Sequence, residues 1–189
     1  MIVPNGGVPP FDDEGLLAPG VYDVTVDELA ASSLVGGYGR PTWDSAWRGQ
    51  LVRNLGVLVR QLWQVGVPEV YIDGSFVEDK DRPNDIDGYF PCDMALLASG
   101  RLEEQLNNID PAACWTWSGA RRRWDERSRK AQLPMWFAYH VELYPHVGQG
   151  TGVFDEDGHE LLFPSLFRRS RVGDREKGIV RVVRAEGAS

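Results

Sequence analysis

The sequence predicts an α/β fold with a small mixed sheet flanked by helices, and three segments carry this prediction. Residues 42–65 repeat apolar side chains every three or four positions, which is typical of a long helix packed on a sheet. Residues 69–72 are a short apolar run and indicate a buried strand. Residues 135–144 alternate, with Glu142 and Leu143 on opposite faces, which indicates another strand. The apolar face of the long helix comprises Trp43, Trp47, Leu51, Leu55, Leu58, Leu62 and Val65, whereas Arg48, Arg53 and Arg60 lie elsewhere on the helical wheel.

Local signals predict further helices and strands. Thr25 followed by Glu28 is a capping-box pattern and predicts the start of a short helix. Residues 93–108 predict a helix that is interrupted near Gly100. Residues 114–117 alternate in a way that favours a strand.

The C-terminal half has weaker patterns. The basic residues of 120–132 predict an exposed helix or a long loop, and the glycines near 155–158 predict a hairpin. Residues 179–183 predict a last strand, which we expect at the edge of the sheet because Arg181 and Arg184 are charged.

Length and composition indicate one globular domain. The chain has 189 residues, and we expect a proline- and glycine-rich arm at 1–24 followed by a domain at 25–189. No apolar run approaches the roughly 20 residues that span a bilayer. Without a signal peptide, Cys92 and Cys114 are expected to be reduced thiols in a cytoplasmic protein.

Charge is unevenly distributed along the chain. The net charge is −8, and the first 30 residues contain six acids and no basic residue. Basic residues concentrate at 121–130 and at 168–184. These segments either present a basic face to an anionic substrate or are ordinary solvated surface.

The residues with the most specific chemistry lie between Val70 and Cys92. The predicted strand ends at Gly74-Ser75, where glycine permits a sharp turn and close approach of a ligand. After a gap of nine residues come Asp85 and Asp87, whose carboxylates share one face if this segment is a strand. Two neighbouring carboxylates repel each other unless a cation lies between them, and divalent metal ions commonly supply that charge.

The Gly-Ser turn, the nine-residue gap and the Asp-Ile-Asp triplet resemble the signature of the DNA polymerase β-like nucleotidyltransferase superfamily. The strings at 11–20 and 177–182 are similar to those of small bacterial and phage minimal nucleotidyltransferases. The resemblance implies the minimal nucleotidyltransferase fold and transfer of a nucleotidyl group from a nucleoside triphosphate. It also implies two Mg²⁺ ions on the carboxylates of Asp85, Asp87 and Glu142, with the triphosphate held at Gly74 and Ser75. Lys80, in the following loop, either touches a phosphate or is an ordinary solvated lysine.

Two parts of that assignment have alternatives. Glu142 stands where the superfamily commonly has aspartate, and its third-acid role competes with that of an ordinary strand acid. His140 shares its predicted face and is either a base beside the site or a structural histidine.

The acceptor and the biological role stay open. The basic segments favour RNA or tRNA, as in toxin–antitoxin or phage-defence enzymes, because phosphate contacts need lysine and arginine. The acidic total favours a protein or small-molecule acceptor, as in antitoxins that adenylylate a partner protein. A non-catalytic binding or immunity module on the same fold is the further alternative.

Overall fold

A five-stranded mixed sheet, packed on a long helix, organises the molecule. The computed structural model describes residues 7–154, 160–162, 164–165, 168–169 and 175–185. Strands are β1 (Val21–Val24), β2 (Glu69–Asp73), β3 (Ile86–Pro91), β4 (Arg123–Asp125), β5 (Lys130–Gln132), β6 (Val141–His146), β7 (Gly150–Phe154), β8 (Glu160–Leu162) and β9 (Ile179–Val183). Helices are α1 (Val26–Ala31), α2 (Ser33–Gly36), α3 (Ser45–Gln64), α4 (Met94–Ala98), α5 (Arg101–Ile109) and α6 (Pro134–Tyr139).

The main sheet has the strand order β1-β9-β2-β3-β6. The outer pairs β1–β9 and β3–β6 are parallel, whereas β9–β2 and β2–β3 are antiparallel. The structure is therefore α/β with a small mixed sheet, as predicted. In the described part of the chain, β4–β5 and β7–β8 each form a separate antiparallel pair.

Helix α3 covers one face of the sheet and buries most of the predicted apolar stripe. Asp44 begins the helix by accepting a hydrogen bond from Trp47 N at 2.9 Å. The core between α3 and the sheet contains Leu51, Leu55, Leu58, Leu62, Val70, Ile72, Ile86, Phe90, Val141, Leu143, Val180 and Val182. The opposite face of the sheet carries polar and aromatic side chains, including those of Asp73, Asp87 and Glu142.

Several local predictions are confirmed. Thr25 and Glu28 form the capping box of α1, with Thr25 N donating to Glu28 Oε2 at 2.7 Å. The helix predicted at 93–108 is split into α4 and α5 at Gly100, whose φ is +73°. The turn of the predicted hairpin at 155–158 lies outside the described residues, although β7 and β8 on either side pair antiparallel.

The prediction of a strand over 135–144 is wrong in its first half. Pro134 begins helix α6, since proline is favoured at the first helical position, and the strand starts only at Val141. His140 ends the helix with a left-handed backbone, at φ +52°. Met135 and Trp136 are buried on this helix. The alternating pattern that indicated a strand over these residues therefore arose by chance.

Two other segments differ from their predictions. Residues 120–132 form the β4–β5 hairpin, not a helix or a long loop. Residues 114–117 form no strand. The backbone of Trp115 is hydrogen-bonded to the Asn107 side chain instead of to a neighbouring strand. Asn107 donates to the Trp115 carbonyl at 2.7 Å and accepts from Trp115 N at 2.9 Å.

Strand β9 lies between β1 and β2 and not at the edge of the sheet. Arg181 is accommodated there because its guanidinium donates to Asp23 at 2.8 Å and lies 3.0 Å from Glu69 Oε2. The edge position was predicted because a charged side chain needs contact with solvent. Ion pairs with acids on both neighbouring strands stabilise the charge of Arg181 instead. In the part of the chain that the structure describes, no helix is long and apolar enough to cross a membrane.

Candidate functional site

A row of three acids crosses the sheet on the face away from α3. Asp73 of β2 pairs in register with Asp87 of β3, and Asp87 pairs with Glu142 of β6. Residues paired across neighbouring strands point to the same face, about 4.8 Å apart. Asp85 directly precedes β3 and lies two residues from Asp87. The sheet therefore places Asp87 directly between Asp73 and Glu142, with Asp85 two residues away along the chain.

The Gly-Ser turn packs directly against this row. Residues Gly74–Val77 form a 3-10 turn after β2, with Ser75 half-buried in it. Gly74 has a φ of +72°, and a Cβ at this position would lie 2.8 Å from Asp87 Oδ2. Glycine is required here for two reasons: a left-handed backbone and the closeness of the Asp87 carboxylate.

Gly74→Ala therefore tests the packing of the turn on Asp87. We expect it to destabilise the protein by about 2 to 4 kcal/mol, from the left-handed backbone and the forced displacement of Asp87. Gly100→Ala is the matched control, since Gly100 has a φ of +73° with open space around its Cβ position. Urea unfolding of both variants measures the difference; equal losses would show that Asp87 does not constrain the turn.

Asp85 is held by the helix that precedes β6. Its Oδ2 accepts a hydrogen bond from Trp136 Nε1 at 2.7 Å. His140 follows this helix, and its ring lies edge-on to Trp136 and Trp47, with centroids 4.6 Å and 5.1 Å away. Burial lowers the pKa of His140, although the charge of Asp85 opposes the shift. The neutral imidazole is thus favoured beside Asp85.

Glu142 is buried, with only 4% of its surface exposed. Its Oε1 accepts from Leu133 N at 2.6 Å, and its Oε2 accepts from the hydroxyl of Tyr144. Arg122 donates to the same Tyr144 oxygen at 2.9 Å and lies 3.6 Å from Glu142 Oε1. Burial and the neighbouring Glu142 raise the pKa of Tyr144, which keeps its hydroxyl protonated and able to donate.

The carboxylates of this site are suitable ligands for a hard cation, but they do not converge on one point. In the ranges that the structure describes, no three His, Cys, Asp or Glu side chains are close enough to hold one metal ion. The side chains beside the turn present carboxylate oxygens, which are the ligand type that Mg²⁺ prefers. Both oxygens of Glu142 accept hydrogen bonds, from Leu133 and Tyr144.

Lys177, which the sequence pattern did not mark as a site residue, lies beside the turn. Its Nζ is 3.0 Å from Asp73 Oδ1 and also contacts Glu78 Oε1, so it bridges the two ends of the turn. The residue is only 2% exposed. Burial raises the pKa of Asp73 to about 6, although Lys177 opposes this shift. Nothing in the local sequence indicates this pairing, because Lys177 is about a hundred positions from Asp73.

Arg48 is also buried, contrary to its predicted position away from the apolar face. Its guanidinium donates to the carbonyls of Leu34, Phe76 and Lys80, the last at 2.8 Å, and stacks on Trp43 at 4.1 Å. Burial lowers its pKa. Arg48 thereby anchors the loop that follows the Gly-Ser turn. The Lys80 side chain is exposed at the surface of this loop.

The two basic segments, 121–130 and 168–184, differ in how many of their side chains form ion pairs with acids. Arg175, Lys177 and Arg181 of the second segment form ion pairs with acids, while Arg171 lies outside the described residues. In the first segment, the described ion pairs include only one to a carboxylate, that of Arg122 with Glu142. Among the described residues, its other basic side chains form no ion pair, although the pKa of Asp125 is lowered by a hydrogen bond from Ser128 N and also by the charge of Arg127.

Comparison with known proteins gives a family but no described relative. No curated protein and no solved structure matches the chain significantly. One family model matches residues 9–183, which include every element of the main sheet and the whole acid row. The chain belongs to this family, which is described as a family of unknown function (DUF6932).

Proposed function

We propose that this protein is a metal-dependent nucleotidyltransferase. The observation that carries the proposal is the packing of the Gly74 turn against Asp87, which itself lies in register with Glu142 on the parallel strand β6. A glycine turn beside paired carboxylates supplies what nucleotidyl transfer needs, namely backbone donors for phosphates and oxygen ligands for cations. Mg²⁺ bound by Asp85 and Asp87 would neutralise negative charge on the phosphates.

The proposed reaction transfers a nucleoside monophosphate to a hydroxyl group. The acceptor oxygen forms a bond to the α-phosphorus, and the bond from that phosphorus to the bridging oxygen breaks. Pyrophosphate leaves with the electron pair. The hydroxyl proton passes to a carboxylate of the acid row, for which Glu142 is the candidate once it leaves Tyr144. Gly74 and Ser75 position the triphosphate, with Lys80 as an exposed cation at the third residue of the adjoining loop.

A second candidate function is nucleotide binding without transfer. The observation in its favour is that both carboxylate oxygens of Glu142 already accept hydrogen bonds, from Leu133 N and Tyr144. These hydrogen bonds hold the carboxylate in a structural role and compete with metal ligation and proton transfer. Under this alternative the protein binds a nucleoside triphosphate and acts through a partner.

A labelling assay separates the two functions. Purified protein is incubated with Mg²⁺, each α-labelled nucleoside triphosphate and pools of RNA and protein acceptors. Label in an acceptor together with released pyrophosphate supports transfer. Binding without label supports the second candidate.

Thermal unfolding tests nucleotide binding itself. A triphosphate at about 100 times its Kd should stabilise the folded state by about 2.7 kcal/mol, which raises Tm by roughly 5 to 10 °C for a chain of this size. The Tm should rise with Mg²⁺ and triphosphate together and less with triphosphate in EDTA. The absence of both label and Tm shift would refute both functions.

A further inference from the structure

The β4–β5 hairpin has an exposed aromatic side chain among unpaired positive charges. Trp124 is 59% exposed at the centre of β4, opposite Ala131 of β5. Six of the ten residues from 121 to 130 are basic and two are acidic, in a chain whose net charge is −8. A tryptophan that folding leaves in water needs another reason for its position.

Most of the positive charges of this hairpin have no ion-pair partner among the described residues. Among the described residues, no carboxylate lies within ion-pair distance of five of the six. The guanidinium of Arg123 stacks on the ring of Phe137 at 4.2 Å. The five residues are Arg121, Arg123, Arg127, Arg129 and Lys130.

The hairpin is connected to the acid row at its base. Arg122 donates to Ala131 O at 2.8 Å within the hairpin and to the Tyr144 hydroxyl beside Glu142. Leu133, which follows β5 directly, donates its N–H to Glu142 at 2.6 Å. Arg122 and Leu133 thus join the hairpin directly to the residues around the Glu142 carboxylate.

We propose that the β4–β5 hairpin binds single-stranded nucleic acid, which is the acceptor of the transferred nucleotide. Unpaired bases stack on an exposed aromatic ring, and the arginines neutralise the phosphates between them. A duplex hides its base faces from Trp124, so the single strand is favoured. The acceptor role rests on the proposed function, whereas binding to the hairpin is measurable without it.

The test is fluorescence anisotropy of labelled 12-nucleotide oligouridylate and oligothymidylate, without metal or triphosphate, at several salt concentrations. The two probes distinguish RNA from DNA. Trp124→Ala is expected to weaken binding about 5- to 150-fold at unchanged salt dependence. Combined substitution of Arg127, Arg129 and Lys130 by alanine is expected to reduce the slope of log Kd against log salt by about 2.

Matched controls are available elsewhere on the surface. Arg53→Ala with Arg60→Ala removes two exposed charges from α3, and Tyr38→Ala removes an aromatic ring that is 57% exposed. Neither control should change binding. Binding of neither probe at low salt, or binding that the hairpin variants leave unchanged, would overturn the proposal.

The labelling assay separates this inference from the proposed function. Hairpin-dependent binding without any transfer would refute the enzymatic function and the acceptor role but leave the binding surface standing. Transfer to a protein acceptor, with no binding of either oligonucleotide, would refute the hairpin proposal and leave the enzyme standing.

Discussion

Asp87→Asn is expected to reduce nucleotidyl transfer by about 10²- to 10³-fold or more, the loss typical when one electrostatic partner of a transition state is removed. Asp87 lies between Asp73 and Glu142 in the sheet and against the Gly74 turn. Under the proposed function its carboxylate serves both the cation and the triphosphate. Asparagine keeps the shape but removes the charge. The measurement is kcat/KM over a range of Mg²⁺ concentrations.

Asp13→Asn is the matched control, because Asp13 is an exposed acid and its loss changes the net charge equally. Its transfer rate should equal that of the wild type. The Tm of each variant without ligand shows whether the fold is retained. Transfer by a folded Asp87→Asn protein at more than about a tenth of the wild-type rate would contradict the proposed role of the acid row.

Lys177→Met is expected to destabilise the protein by about 3 to 5 kcal/mol, because the buried Asp73 carboxylate loses its partner. Both members of the pair are nearly inaccessible, and the Nζ to Oδ1 distance is 3.0 Å. Lys80→Met is the control, since Lys80 is exposed and its loss should change stability by no more than about 0.5 kcal/mol. Urea unfolding at pH 8 measures both.

The pH dependence of this loss identifies its cause. The pKa of Asp73 in the folded protein is about 6, above its ordinary value of 3.8. The folded state therefore binds the proton of Asp73 more tightly than the unfolded state does. The stabilisation that comes from protonating Asp73 is full below about pH 4 and is lost as the pH rises through 6. The deficit of Lys177→Met should accordingly be largest at pH 8 and shrink below pH 5, where Asp73 is neutral.

Asp73→Asn provides a second check on the pair. In the Lys177→Met background it replaces an unpaired carboxylate with a neutral amide, and we expect it to restore part of the lost stability. An equal deficit at pH 5 and pH 8, with no restoration by Asp73→Asn, would show that packing and not charge explains the effect.

Much of the core and the site was predictable from local sequence. The long helix, the strand at β2 and the break at Gly100 follow from apolar spacing and from glycine, both of which act over a few residues. The Gly74 turn followed by Asp85 and Asp87 was predicted for the same reason. Short aromatic segments were predicted less well: at 135–139 the alternation suited a strand, but Pro134 and burial of Met135 and Trp136 favoured a helix.

Local sequence thus determined the α/β class, the long helix and the acid pair beside a glycine turn. Only the tertiary structure decided that Glu142 lies in register with Asp87, that β9 is interior, and that Lys177 and Arg48 hold the turn and its loop. The physical reason is the range of the interactions. Helix periodicity and turn conformation depend on neighbouring residues, whereas strand pairing and buried ion pairs join residues far apart in the chain, whose proximity exists only after folding.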